Sequence, residues 1–292
     1  MCQIGGSPPE GSSVPTTHFT VTATSWITPS LRRVHLHSAD LSAFAESGFT
    51  DRYVKLVFPK PGVDYTGEVD VRALRGTVPP ELLPDVRTYT VLHPNLEAGT
   101  VDIDFVVHGD EGVAGRWAAS AGAGDTLLAN GPGGAYRPDP AADWHLLVGD
   151  ESAVPALSAA LEALPRDAVA RVVVLVESAA EEPELQLPEA ATVTFVHRGG
   201  GTAAGLLEAA VRAVDWLDGR VHAFAHGEAD EVMRGIRPYL RTERGLGRDQ
   251  LSISGYWRRG RSEDGFREWK AEFAQQEGIE PGPVGDRAAA GR

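Results

Sequence analysis

The hydrophobic rhythm of this chain changes once, around Arg137-Pro138-Asp139-Pro140, and that change limits its architecture more than any other feature. Before it, apolar residues alternate with polar ones in short runs. Phe19 to Trp26 carries Thr at 20, 22 and 24, Arg33 to His37 reads Arg-Val-His-Leu-His, and Tyr53 to Phe58 stops at Pro59. Thr88 to Leu92, Val101 to Val107 and Thr126 to Ala129 follow, the last ended by Asn130-Gly131-Pro132. Alternation at period two between turn residues predicts half-buried strands, and a succession of them predicts an antiparallel barrel. Pro61 to Asp85 is polar and punctuated by Pro and Gly, so it reads as a loop or short hairpin outside the core.

After the linker, His145 to Val148 is mostly apolar and Val172 to Val176 wholly so, as strands of a parallel sheet covered on both faces must be. Strands at Thr192 to His197, Val221 to Ala225 and Leu251 to Gly255 are interleaved with helical spacing at Ala153 to Leu164, Ala203 to Val214 and Ala229 to Thr242. This order predicts a small doubly wound α/β domain. Phe266, Trp269, Lys270 and Phe273 share one helical face, so a last helix is expected over Phe266 to Gln275. The expected division is a disordered tail over 1–15, a barrel over 16–137, an α/β domain over 143–276 and a second tail over 277–292.

Composition removes several functions. Lys and Arg total 27 against 41 Asp and Glu, a formal charge of −14, which opposes nucleic-acid binding. Cys2 is the only cysteine, so an intrachain disulfide, a four-cysteine zinc site and a four-cysteine iron–sulfur cluster are out. Redox chemistry would need an organic cofactor or a metal without thiolates. His35 and His37 share a strand face but lack a third ligand at metal spacing, so no metal site is expected. No Gly-x-Ser-x-Gly marks a hydrolase. No apolar run approaches the roughly 20 residues of a membrane span, and residues 1–15 lack a signal peptide's basic start and apolar centre. A soluble, cytoplasmic, monomeric protein is expected.

Four motifs carry possible chemistry. Arg87-Thr88-Tyr89-Thr90 puts Arg87 and Tyr89 on one strand face and the threonines on the other. Arg pairs with phosphate, Tyr stacks on a flat ring and Thr bonds a ring edge; an ordinary edge strand has the same pattern. Asp104 to Gly109 passes through Asp110-Glu111-Gly112-Val113-Ala114 into a helix containing Trp117, and N–H groups at such a start favour phosphate. A plain βα turn also fits. Gly149-Asp150-Glu151-Ser152 follows the first α/β strand, where nucleotides bind, yet it is no glycine fingerprint and brings two acids. Tyr256-Trp257-Arg258-Arg259-Gly260-Arg261 joins aromatic rings to three arginines and reads either as a solvated basic turn or as a rim for an anion.

Taken in order, these motifs, with Tyr53 to Pro59 and Ala225-His226-Gly227-Glu228, resemble the siderophore-interacting protein family. These are flavin-dependent ferric-siderophore reductases of the ferredoxin–NADP reductase superfamily. The resemblance spans most of residues 16–275 and implies an N-terminal flavin-binding barrel followed by a Rossmann-like nucleotide-binding domain. One position departs: where the family often has a second Arg after its Arg-x-Tyr-Thr, this chain has Leu92, with His93 beside it.

The resemblance implies FAD held by Arg87, Thr88, Tyr89 and Thr90, by Asp104, Val106, Val107, His108, Gly112, Val113 and Ala114, and by Trp117, Ser152 and Trp257. Tyr89 and Thr90 would lie nearest the reaction. NADH or NADPH would meet Gly149, Asp150, Glu151, Glu177, Arg198, Gly227 and Glu228, and a ferric siderophore would meet Lys55, Arg258 and Arg261. Glu177 favours the ribose 2′-hydroxyl of NADH, whereas Arg198 argues for NADPH; a reduced ferredoxin is an alternative donor. The expected reaction is reduction of Fe(III) to labilise a hard-oxygen chelate. The rivals are a flavin reductase domain serving a protein partner and a module that only binds ferric siderophores.

Overall fold

The computed structural model describes residues 2–4, 16–45, 47–65, 71–74, 77–109, 112–201 and 204–261, with 265, 266, 269, 272, 273 and 275 beyond them. The chain divides into two units, Met1–Gly48 with Arg52–Gly134, and Phe49–Asp51 with Ala135–Arg292.

The first unit contains β1 (Cys2–Ile4), β2 (Thr16–Trp26), β3 (Leu31–His37), β4 (Tyr53–Phe58), β5 (Val63–Tyr65), α1 (Val71–Leu74), β6 (Asp85–Thr90), β7 (Leu92–Asn95), β8 (Thr100–Val106), α2 (Val113–Ser120) and β9 (Thr126–Gly133). Seven strands form an antiparallel sheet in the order β6-β4-β9-β2-β3-β8-β7. Its edge strands β6 and β7 are separated in sequence by Val91 alone, so the sheet curls until its edges meet, as in a barrel. Alternation sets the interior: Phe19 and Val21, Val34 and Leu36, Val54 and Leu56, and Val101, Ile103 and Phe105 are all buried in one core. Ala114 and Ala118 of α2 join that core.

The second unit has β10 (Trp144–Asp150), α3 (Val154–Glu162), β11 (Val169–Val176), β12 (Ala190–His197), α4 (Leu206–Arg212), β13 (Val221–Glu228) and β14 (Leu251–Trp257). All five strands are parallel, in the order β12-β11-β10-β13-β14. Every residue of β10 and of β13 is buried, the result of helices on both faces. Trp144, Leu146, Val148, Ala223 and Ala225 pack on one side with Leu207 and Val211 of α4. The strand order reverses at β10 and β13, so their carboxyl ends border the crevice where such sheets take ligands. Gly149 makes the turn into α3 possible, because a Cβ there would lie 2.6 Å from the Cβ of Ala153.

Several boundaries differ from the sequence expectation. Cys2–Ile4, expected in a disordered tail, pairs in parallel with Val63–Tyr65. Residues 5–15 and 277–292 lie outside the described residues. The segment from Pro61 to Asp85 is not wholly outside the core: Val71 is buried with Val57 and Val86 in a second apolar cluster. β9 does not stop at Asn130 but runs to Gly133, because it is a central strand paired with both β2 and β4. The helix expected over Ala229 to Thr242 is wound as two π-helical segments, Asp230–Ile236 and Tyr239–Glu243. Of the last helix, Phe266 and Trp269 are buried and pack with Ala229.

Candidate functional site

In the first unit, β6 carries the Arg-Thr-Tyr-Thr motif opposite β4, with Lys55 facing Thr88 and Val54 facing Tyr89 in register. The half-buried Tyr89 ring lies 4.5 Å from Phe105, Phe105 lies 5.5 Å from Trp117, and Trp117 lies 6.1 Å from Phe58. A rigid aromatic layer therefore supports Tyr89. The two threonines separate: Thr88 is exposed and Thr90 is 7% exposed. Arg87 donates Nη1 to the Val86 carbonyl at 2.9 Å. Leu92 is buried, so its position gives an apolar contact, and His93 turns aside at φ 47° to meet Asp102 at 2.9 Å.

The second motif runs from β8 into α2. Asp104 is buried, and both its oxygens accept from Arg33, at 2.7 and 2.8 Å. Its carboxylate is therefore an internal partner of Arg33. Val106 and Val107 are half-buried, and the Val107 amide already donates to Ser30 at 2.7 Å. His108 is exposed. Gly109 and Gly112 take φ of 58° and 76°, with no atom within 4 Å of where a Cβ would stand. These backbone angles favour glycine on either side of Asp110 and Glu111, which lie outside the described residues, and α2 then starts with no side-chain cap at Gly112. Val113 is half-buried and Ala114 is buried in the barrel core. A carboxylate at Ala114 would disrupt packing, because the side chain of Ala114 faces the core, and only its backbone could meet a cofactor. Arg116 was not singled out by sequence. It is exposed in the first turn of α2 and donates Nε to the Gly112 carbonyl at 3.2 Å. A cation is disfavoured at a helix start unless an anion accompanies it, and that is the signal that could have found it.

In the second unit, the carboxyl ends of β10, β13 and β14 meet at Asp150. This buried carboxylate accepts from the Ser152 amide at 2.9 Å, the Ser152 hydroxyl at 2.5 Å, the Glu228 amide at 2.8 Å and Trp257 Nε1 at 2.7 Å. Burial pushes its pKa up, and bonds from Ser152, Trp257 and the Glu228 amide offset part of that. A Cβ at Gly227 would stand 2.8 Å from Asp150 Oδ2. Trp257 is held by its nitrogen yet remains 37% exposed. Glu228 is also buried and accepts from the amides of Asp230, Glu231 and Arg259 at 2.8, 3.0 and 3.1 Å. Asp150 and Glu228 thus fix the turns around the crevice.

Glu151 and Glu177 flank Arg198, which bonds both. Burial opposes the Arg198 charge, but the two carboxylates prevail and hold its pKa above the ordinary value. Glu177 is held below the carboxylate norm by the Arg198 guanidinium and the Gly200 amide. Burial pushes Glu151 up despite Arg198. Arg258 departs from its expected role as a rim cation. Its side chain is 16% exposed, lies 4.5 Å over the Trp269 ring and is 3.3 Å from Asp230, so its charge is spent inside the unit. Arg261 is exposed after the turn.

A flavin-type antiparallel barrel followed by a parallel nucleotide-type sheet is the architecture of ferredoxin reductase-like flavoproteins. The family profiles agree: residues 20–136 match the siderophore-interacting FAD-binding domain and residues 142–260 match siderophore-interacting protein. The chain is 34% identical over 248 residues to the ferric vibriobactin reductase ViuB of Vibrio cholerae, covering 83% of this chain and 89% of that protein. It is 48% identical over 274 residues to a Mycobacterium tuberculosis protein, covering 89% and 96%. The crystal structure of a siderophore utilization protein from T. fusca matches with a TM-score of 0.74 at 38% identity, covering 87% of this chain and 96% of that one. The chain belongs to the siderophore-interacting protein family, and FAD is its cofactor. The left-handed glycine at 112, the start of α2 without a side-chain cap and the supported ring of Tyr89 suit a pyrophosphate and a flat ring system.

Proposed function

We propose that this protein reduces the iron of a ferric siderophore with electrons from a nicotinamide dinucleotide, by way of FAD. The observation that carries the reading is the continuous likeness to a named ferric siderophore reductase across both units. FAD supplies the conversion between a hydride and single electrons. In this reading Tyr89, resting on Phe105, orients the flat ring, and Arg87, Thr88 and Thr90 border it. The start of α2 at Gly112 and Val113 presents backbone amides to the pyrophosphate, with Arg116 adding charge. Asp150 holds Trp257 and Ser152 in fixed orientations, and the dinucleotide occupies the crevice edged by Gly149, Glu151, Gly227 and Glu228. Lys55 of the first unit and Arg261 of the second are separate candidate cations for the anionic chelate, while Arg258 supports the β14 turn from within. Reduction to Fe(II) loosens the hard oxygen donors and releases the metal. Such release serves iron use in the cytoplasm, and among the described residues no helix is long and apolar enough to cross a membrane.

The test is spectroscopic. Purified protein should show the two visible flavin bands, bleach under anaerobic NADH or NADPH, and deliver Fe(II) from a ferric siderophore to a ferrous-specific chelator. A flavin-containing protein that bleaches but releases no Fe(II) from any ferric chelate would reject the reductase assignment.

A further inference from the structure

The two sequence signals for the electron donor conflict, since Glu177 favours a ribose hydroxyl and Arg198 favours a phosphate. The structure puts them in one network. Glu151 follows β10, Glu177 follows β11 and Arg198 follows β12, three neighbouring strands of the parallel sheet. All three side chains stand at its carboxyl edge, where nucleotide ribose is read. Arg198 Nη1 donates to Glu151 Oε2 at 3.0 Å, Nη2 donates to Glu151 Oε1, and Nε donates to Glu177 Oε2 at 3.1 Å. Every guanidinium nitrogen therefore already serves a carboxylate. Both oxygens of Glu151 accept from Arg198, which is the geometry of an ionised carboxylate. The three groups together carry a net charge of about −1.

Glu177 is placed differently from its partners. Its side chain is 49% exposed, against 13% for Glu151 and 19% for Arg198. Its Oε1 accepts from the Gly200 amide at 2.8 Å, so the carboxylate is pinned from both ends. A carboxylate has about four lone-pair sites, and these two bonds leave the others for ribose hydroxyls. A 2′-phosphate arriving here would meet that carboxylate first, and three of the five N–H donors of Arg198 are already given to Glu151 and Glu177.

We infer that Glu151 and Glu177 withhold Arg198 from phosphate, and that this site selects a dinucleotide with a free ribose 2′-hydroxyl, NADH over NADPH. The inference rests on the reading that a nicotinamide dinucleotide is the donor. It is tested by binding alone, with calorimetry of ADP-ribose and of its 2′-phosphorylated form to the flavin-loaded protein. ADP-ribose should bind at least about tenfold more tightly, roughly 1.4 kcal/mol. Glu177→Gln should bring the two within about threefold, and the discrimination should shrink as salt is raised. Glu151→Gln with Glu177→Gln should free Arg198 and reverse the preference; circular dichroism would check that both variants are folded. Steady-state kcat/KM for NADH and NADPH should rank the same way. Equal binding of the two probes, or tighter binding of the 2′-phosphorylated one, overturns the inference while leaving reduction by either dinucleotide intact. Failure of both probes to bind overturns it together with the nucleotide site. Loss of 2′-phosphate binding in Arg198→Ala, with ADP-ribose binding unchanged, would show that Arg198 is a phosphate receptor and would also overturn it.

Discussion

The two candidate surfaces treat polar groups in opposite ways. At the barrel, the start of α2 at Gly112 offers backbone amides with no side-chain cap, and the aromatic layer under Tyr89 ends at a half-exposed ring. At the edge of the parallel sheet, the charged side chains have already found one another: Asp150 takes donors from Ser152, Glu228 and Trp257, and Arg198 is shared by Glu151 and Glu177. In the proposed reading, the first surface is completed by its ligand. The second is preorganised, so its selectivity comes from what the network leaves over rather than from its formal residue types. The barrel should therefore lose ligand when altered, whereas the sheet edge should lose stability or selectivity.

Asp150→Ala should give the largest effect. It strands the buried Glu228 amide, which costs about 1–3 kcal/mol when unsatisfied, and removes the partner of the part-buried donors of Ser152 and Trp257. A loss of about 3 kcal/mol or more in urea unfolding is expected. The Trp257 indole N–H should exchange slowly in the parent protein and freely in any folded fraction of the variant. A variant of parental stability would show that the carboxylate is not the organising group of this edge.

The second effect is confined to the same unit. His145 is buried with its ring 6.3 Å from that of His222, and burial, aided by the nearby His222, lowers its pKa to about 4. His222 Nδ1 accepts the Asp139 amide at 2.9 Å, which requires an unprotonated nitrogen, and burial lowers its pKa as well. Unfolded histidine takes up a proton near pH 6.5. Stability is therefore full above about pH 6.5 and declines as pH falls towards about 4, because only the unfolded chain binds protons in that window. The drop should be on the order of 2 kcal/mol. His145→Phe should flatten the profile of urea midpoints between pH 7 and 5; an unchanged slope would remove His145 from the explanation.

At the barrel, Tyr89→Ala should lower flavin affinity by about tenfold, roughly 1.4 kcal/mol, with little change in unfolding. The ring is half-buried against Phe105 only at its edge of the core, so the fold retains its other contacts. Full flavin occupancy after dialysis would move the flat-ring site elsewhere.

The strands, their order and the two-part division were legible because side-chain alternation and wholly apolar runs report burial directly, as in Val34 and Leu36 or Val172 to Val176. The motif positions were legible because β6 and the carboxyl ends of the parallel strands have recognisable neighbours. Commitments between side chains were not. Nothing local shows that Asp104 faces Arg33 across β3 and β8, or that Arg198 reaches Glu151, because those pairings are set by strand register over distances of 71 and 47 residues. The burial of Ala114 was missed for a similar reason: the small residue that opens a helix at a phosphate-type turn is also the one that fits against a barrel core.

The smallest expected effect separates two arginines that the sequence presents as equals. Arg261 is exposed, whereas Arg258 lies over Trp269 beside Asp230. Arg261→Ala should raise the apparent KM for an anionic ferric chelate by about twofold, in line with a surface charge worth well under 1 kcal/mol. The increase should vanish near 1 M salt, where the screening length is about 3 Å, and should be absent for a neutral chelate. Arg258→Ala should act through packing. It removes the cation from the Trp269 ring and leaves Asp230 with Arg234 at 3.5 Å, so it should lower the unfolding midpoint and change KM for charged and neutral chelates alike. Running both variants against both chelates at low and high salt therefore distinguishes capture from support. A salt-sensitive, charge-selective loss in Arg258→Ala would return that residue to the substrate rim. Its absence in Arg261→Ala would place electrostatic capture on the barrel, with Lys55 as the next residue to vary.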